Sequence, residues 1–299
     1  MFSGMLYIFL PLVIGYLIQV DKPSVVEFIN TQTSRLVLVI LSLMGLSLAG
    51  LDNLGQNLNQ ILIYTSVFFI SISLCNLIAL PILDRLWPTD TSQDHRKLPF
   101  MKMVMESVRL VLVVAAGLVI GLVADVDLSW VDKASEVILL LLLFLIGIQL
   151  RNSGMTLRQI LLNRKGITIA LLIVATSLPG GVIAAILLDL PLTHGLAMAS
   201  GFGWYSLTGI LIGDSLGPVF GGAAFLNELL RELIALSIIP MLISRFPSTA
   251  IGYAGATAMD FTLPVIQNCG GIRCVPVAIV SGFILSLLVP VLILFFLSL

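Results

Sequence analysis

The chain has 299 residues, of which 59% are hydrophobic and only 10% are Asp, Glu, Lys or Arg. Soluble domains carry about 25% charged residues, and a surface this poor in charge would aggregate in water. A formal net charge of −1 with no charge block excludes disorder, a coiled coil and a nucleic-acid partner. A polytopic membrane protein remains, with room for roughly eight to ten membrane elements.

The N-terminal run MFSGMLYIFLPLVIGYLIQV has no basic residue before its apolar stretch and no small-residue cleavage site. It reads as a retained first helix, not a signal peptide. Apolar runs predict six helices, at about 4–20, 35–51, 60–83, 104–124, 135–150 and 166–188. With the N-terminus on side A, the side-B connections hold Lys22, Arg35, Arg85, Arg96, Lys97, Lys102, Arg151, Arg158, Arg164 and Lys165. Side A holds Lys133 alone. Side B is therefore expected to be cytoplasmic, with the N-terminus outside.

Four matches recur in the same order about 100 residues apart. LVIG at 12–15 returns at 118–121, LMGLSL at 43–48 as LIGIQL at 145–150, and LNQIL at 58–62 as LRQIL at 157–161. SLCNLIALPILD at 73–84 returns as SLPGGVIAAILLD at 177–189. Two units of three helices, 1–84 and 103–189, enter from opposite faces on this reading, with a cytoplasmic loop at 85–102. Inverted-topology repeats of this kind mark secondary transporters.

The last third is apolar but interrupted by Gly, Pro, Ser, Thr and Asp at 193–220 and 248–271. A clean helix follows each, at about 222–244 and 274–298, so 193–245 and 248–299 read as two site-forming units. ASGFGWYSLTGI (199–210) resembles ATAMDFTLPVI (256–266), and LIALSIIPMLI (233–243) resembles ILSLLVPVLI (284–293). If each broken segment is a re-entrant hairpin, these units are inverted copies and Arg245 falls on the cytoplasmic side. The expected fold is an all-α polytopic membrane protein with eight transmembrane helices, two re-entrant or broken hairpins and both termini outside. Ten spanning elements with broken helices are the alternative. Non-helical backbone at membrane depth belongs inside protein or along a watery cavity, so these segments should line the site.

Intramembrane acids point to function because a carboxylate in lipid costs several kcal/mol without water or a partner. Asp260 lies within GATAMDFTLP, where a helix broken near Pro264 would free carbonyls beside it, next to Thr262. Glu228 and Glu232 share one face of the helix at 222–244, with Arg231 beside them. Glu232 is expected near mid-membrane and Glu228 nearer the outer interface. Asp52 closes the second helix, Asp214 suits a hairpin's return, and Asp189 reads as a boundary residue. The glycines around Trp204, Tyr205 and Ser206 suggest close backbone approach to a ligand, and either aromatic ring suits an organic cation.

Cys75, Cys269 and Cys274 lack the spacing of a zinc or redox site, and His95 and His194 form no paired cluster. No metal or cofactor is expected. No GxGD motif occurs and neither histidine pairs with a plausible nucleophile, so an intramembrane enzyme is disfavoured, and two inverted repeats suit alternating access better than a fixed pore.

The strings LFLIGIQLRNSGMTLRQI, LAMASGFGWYSLTGIL, RELIALSIIP, MDFTLPV and SGFILSLLVP resemble the bacterial lysine exporter family LysO over nearly the whole chain. The resemblance implies an inner-membrane exporter of L-lysine, and of analogues such as thialysine, driven by proton exchange. It implies essential intramembrane acids at Asp52, Glu232 and Asp260, of which Asp52 is raised by the resemblance alone. The expected partners are L-lysine, H⁺ and the lipid bilayer, and a homo-oligomer is compatible with them. From Asp189 onward five acids face three arginines, which favours a cationic substrate. The residues alone leave open another cationic amino acid, an organic cation or a simple cation/proton antiporter.

Overall fold

A computed structural model describes residues 10–11, 13–20, 22–50, 54–88, 91, 100–123, 130–152, 163–271 and 273–299. Helical turns at 10–11 and 13–17 precede α1 (Pro23–Ala49), α2 (Leu54–Leu86), α3 (Phe100–Val123), α4 (Val131–Arg151) and α5 (Arg164–Leu187). Then come α6 (Leu192–Met198), α7 (Tyr205–Leu216), α8 (Pro218–Leu242), α9 (Pro247–Ala254), a 3₁₀ turn (Gly255–Met259), α10 (Leu263–Gly270) and α11 (Cys274–Leu297). The described residues are all-helical. Among them, Pro23–Ala49, Gly55–Leu86, Arg164–Leu187 and Cys274–Leu297 are long and apolar enough to cross a bilayer. Leu17, Ile78, Val123 and Met241 lie largely exposed on the outside, where lipid rather than water suits them.

The second helix starts earlier than the apolar run at 35–51 suggested. Pro23 opens it at the first turn, where a missing N–H costs nothing. In its polar first half Thr31, Thr33 and Ser34 donate their hydroxyls to the carbonyls four residues back, which satisfies them without breaking the helix. Arg35, assigned to a loop by hydropathy, therefore lies within a helix. Pro264 also differs from expectation: it sits in the first turn of α10 and opens that helix, while the irregular backbone lies before it.

Small residues bring the helices together as two bodies. In the first, α1 packs on α3 and α4. A methyl group on Gly45 would collide with the Val114 carbonyl, and one on Gly117 with the Ser42 carbonyl. In the second, α2 packs on α5 and α8, and the short helices gather around α8 and α11. Gly181 of α5 and Gly195 of α6 lie backbone to backbone, so that a methyl on Gly195 would sit 2.5 Å from the Gly181 oxygen. A buried polar seam joins α2 and α5, where Thr176 and Ser177 donate to the Asn76 side-chain oxygen over 2.5 and 3.2 Å. The bodies meet where Leu41 and Met44 touch Phe225 and Leu229.

Both broken segments turn back. His194 near the start of α6 stacks edge-on against Phe220 near the start of α8, at 5.5 Å between ring centroids, so the segment 192–216 begins and ends at one end of the bundle. The second segment begins and ends at the opposite end. Ser248 and Thr249 lie on Asp84 at the close of α2, and Gly270 packs against Ile243 just past α8. Lys165 donates to the Trp87 carbonyl, and Thr91 to that of Ser244, at the same end. The two turns meet in the middle, where the Ala256 N–H donates to the Phe202 carbonyl over 2.8 Å.

The close packing predicts a sharp contrast between glycines. Gly181→Ala should lower stability by about 1–3 kcal/mol through overpacking. Gly55→Ala, where nothing lies within 4 Å, should be neutral or stabilising by up to about 1 kcal/mol. Thermal unfolding of the purified protein in detergent measures both.

Candidate functional site

The site is built around α8. Its apolar sequence is interrupted by Asn227, Glu228, Arg231 and Glu232, each 3% exposed or less. A buried charge needs hydrogen-bonding partners, and two of these residues find theirs in backbone left bare by the broken helices. At the first turn, between α6 and α7, Phe202 and Gly203 have φ of 47° and 97°, and the Gly203 N–H points away from its own helix. It donates to Glu228 Oε2, while Asn227 Nδ2 donates to Glu228 Oε1 over 2.9 Å. Gly201 must lack a side chain, since a methyl there would lie 2.8 Å from the Glu228 carboxylate.

Arg231 does the converse for the second turn. Its Nε donates to the Tyr253 carbonyl over 3.0 Å and its Nη2 to that of Gly252 over 3.2 Å. Its guanidinium also lies 5.6 Å from the centre of the Tyr253 ring, whose hydroxyl is 3.0 Å from Ser73 Oγ. One turn of α8 thus offers an acceptor to the first hairpin and a donor to the second. Asp84 anchors the outer end of the second hairpin, accepting from the Ser248 N–H, the Thr249 N–H and the Thr249 hydroxyl over 2.7, 2.8 and 2.7 Å. A carboxylate on the first-turn N–H groups of α9 is a helix cap supplied from 164 residues away in the chain by its neighbour α2.

Beyond the 3₁₀ turn the backbone reverses at Asp260. The Thr257 carbonyl accepts from the Asp260 N–H, the Thr262 N–H and the Thr262 hydroxyl over 3.2, 3.0 and 3.0 Å, and the Phe261 N–H donates to Asp260 Oδ1. This turn leaves the Asp260 carboxyl facing a cavity of about 610 Å³ between the two bodies. The hairpins contribute Trp204, Tyr205, Ser206, Thr257 and Asp260 to its walls, and the other body contributes Asn30, Arg109 and Gln149. Tyr205 is held edge-on against Phe225 at 5.9 Å, and Gln149 Nε2 donates to Asn30 Oδ1 over 2.8 Å. The volume suits a small organic molecule.

Of the residues singled out by sequence, Asp260, Trp204, Tyr205 and Ser206 come together on the cavity wall. Thr262 is fully buried and closes the turn behind Asp260. Glu228 lies level with the hairpin tips, deeper than its expected place near an interface, and Glu232 is buried one turn further along α8. Asp214 lies within α7, and Asp52 falls outside the described residues. Two charged residues escaped the sequence reading. Arg109 stands inside an apolar helical run, where an intramembrane cation is as much a signal as an intramembrane acid. Asp84 ends such a run, where no local pattern sets it apart from a boundary residue.

The clamp on the hairpins predicts unequal losses. Arg231→Met leaves two carbonyls without their donor and a buried carboxylate without its nearby cation, at a cost of about 3–5 kcal/mol. Glu228→Gln keeps an oxygen for the Gly203 N–H and should cost about 1–2 kcal/mol. The order is read from unfolding temperature and protease resistance in detergent.

Comparison with known proteins agrees along the full chain. The family model described as lysine exporter LysO matches residues 111–297. The Escherichia coli (strain K12) protein named lysine exporter LysO is 55% identical over 297 residues, 99% of each chain. A Haemophilus influenzae protein named putative lysine exporter is 44% identical over 185 residues, covering 62% of this chain and 95% of its own. No solved structure matches. Apolar helices, paired hairpins with a cavity at their tips, and identity spread end to end together establish that this integral membrane protein belongs to the LysO family of lysine exporters.

Proposed function

We propose that the protein is a secondary transporter that exports L-lysine, and analogues such as thialysine, from the cytoplasm in exchange for protons. The observation that carries the reading is Asp260, a carboxylate turned into a cavity at the junction of two hairpins that enter from opposite ends. The relatives' names supply the substrate. A carboxylate in such a place pairs with an ammonium group when ionised and releases it when protonated. H⁺ and lysine then compete for one group, and that competition couples their opposite movements. Trp204 and Tyr205 offer apolar and ring surface to the substrate's methylene chain and cation. Glu232, buried on α8, is a second candidate for the proton, and Asp52 is retained as a third on family resemblance alone.

On this reading the chain crosses the inner membrane eight times and both termini lie outside. Residues 1–84 and 103–189 are inverted copies, as are 193–245 and 248–299. The basic side chains Lys165 and Arg245 then mark the cytoplasmic end. No cofactor is required, since the proton gradient supplies the drive.

Inside-out vesicles test the reading. Vesicles with an acid lumen should accumulate radiolabelled lysine, and collapse of the pH gradient should abolish accumulation. Thialysine should compete well; arginine and ornithine, added in turn, define how far the substrate class extends. Asp260→Asn at equal protein level should reduce uptake to background. Undiminished uptake in that variant would remove Asp260 from the mechanism, and uptake indifferent to the gradient would remove proton exchange.

A further inference from the structure

Among the described residues, two charged side chains line the cavity, and they come from different bodies. Asp260 belongs to the second hairpin, packed with α8 and α11, and Arg109 to α3, packed with α1. Asp260 matches a cation. It leaves unexplained why an arginine, a residue that stays protonated in proteins, stands on the wall of a cavity meant to attract positive charge. For a substrate that carried only amines, Arg109 would be a repulsive neighbour. For an α-amino acid it is the complementary group, because a guanidinium offers paired donors in the geometry of a carboxylate.

The backbone at the first hairpin tip is the other source of donors, and part of it is already engaged. The Gly203 N–H is taken by Glu228, and the Trp204 N–H by the Gly201 carbonyl over 2.9 Å. We infer that Arg109 receives the substrate's α-carboxylate, so that the cavity reads its ligand as an amino acid with an added cation and rejects the corresponding diamine. The inference rests on the amino-acid export reading above and adds to it a residue that sets specificity. It also gives the split site a consequence: a bound amino acid ties the two bodies together through opposite ends of one molecule, which a diamine cannot do.

Competition against radiolabelled lysine separates the possibilities, with cadaverine as lysine without its carboxylate and lysinamide as lysine with the charge of that group removed. In the wild-type protein both should compete about 10- to 100-fold more weakly than lysine, the range expected for a charge-assisted pair. In Arg109→Gln the affinity for lysine should fall toward that for cadaverine while cadaverine is unchanged or improved. Arg109→Lys, which keeps the charge but not the paired donors, should fall between them. Equal affinity of the wild-type protein for lysine and lysinamide overturns the role of Arg109, and this arm needs no variant to fold. An unchanged lysine-to-cadaverine ratio in Arg109→Gln overturns it as well. A wild-type protein that neither binds nor moves lysine overturns the export reading first and this inference with it, a result distinct from either of the others.

Discussion

Everything in the second body depends on one turn of α8, where Glu228 accepts the Gly203 N–H and Arg231 donates to the Gly252 and Tyr253 carbonyls. Helices that break inside an apolar environment expose N–H and C=O groups that lipid cannot satisfy, at several kcal/mol each. Paired in this way, an acid and a base on a single helix turn complete the hydrogen bonds of two separate breaks. The charges in turn escape the cost of isolated burial because the backbone dipoles and each other's field replace water. Neither hairpin tip is self-sufficient, and neither charge is. The bond from Ala256 to Phe202 then joins the tips directly.

That mutual dependence fixes where the cavity can be. With the tips pinned to α8 at one level, the residues just past each break, Tyr205 and Ser206 on one side and Thr257 and Asp260 on the other, face the same space. The first body closes that space with α1, α3 and α4, touching the second chiefly through side chains such as Leu41 and Phe225. Within each body the helices approach through glycines, backbone against backbone, as at Gly181 and Gly195. Small residues at an interface let backbones approach closely. The site therefore lies on the boundary between two closely packed bodies.

Much of this was legible in the sequence. The long apolar runs gave most of the helices, and the Gly, Pro, Ser and Asp interruptions at 193–220 and 248–271 marked the two broken segments. The failures have a common physical cause. Residues 23–34 are polar yet helical, with the Thr and Ser hydroxyls satisfied on the helix's own carbonyls, so hydropathy alone started the helix too late in the chain. Asp84 and Glu228 were ambiguous because their partners are backbone groups 164 and 25 residues away, a distance that no local pattern encodes. Pro264 was read as a breaker, although a proline in the first turn of a helix is equally a starter.

The same chemistry divides the acids of the last third into kinds that a sequence cannot separate. Glu228 is spent on the protein, since both of its oxygens take donors from neighbouring residues. Asp260 takes a donor from the adjacent Phe261 N–H at Oδ1 and opens onto the cavity. A carboxylate whose partners are all supplied by the fold has no hydrogen-bonding capacity left to offer a solute, whereas one that faces a cavity does. In a protein with so few charges, this difference in who completes the coordination separates Glu228, which closes a hairpin tip, from Asp260, which opens onto the cavity.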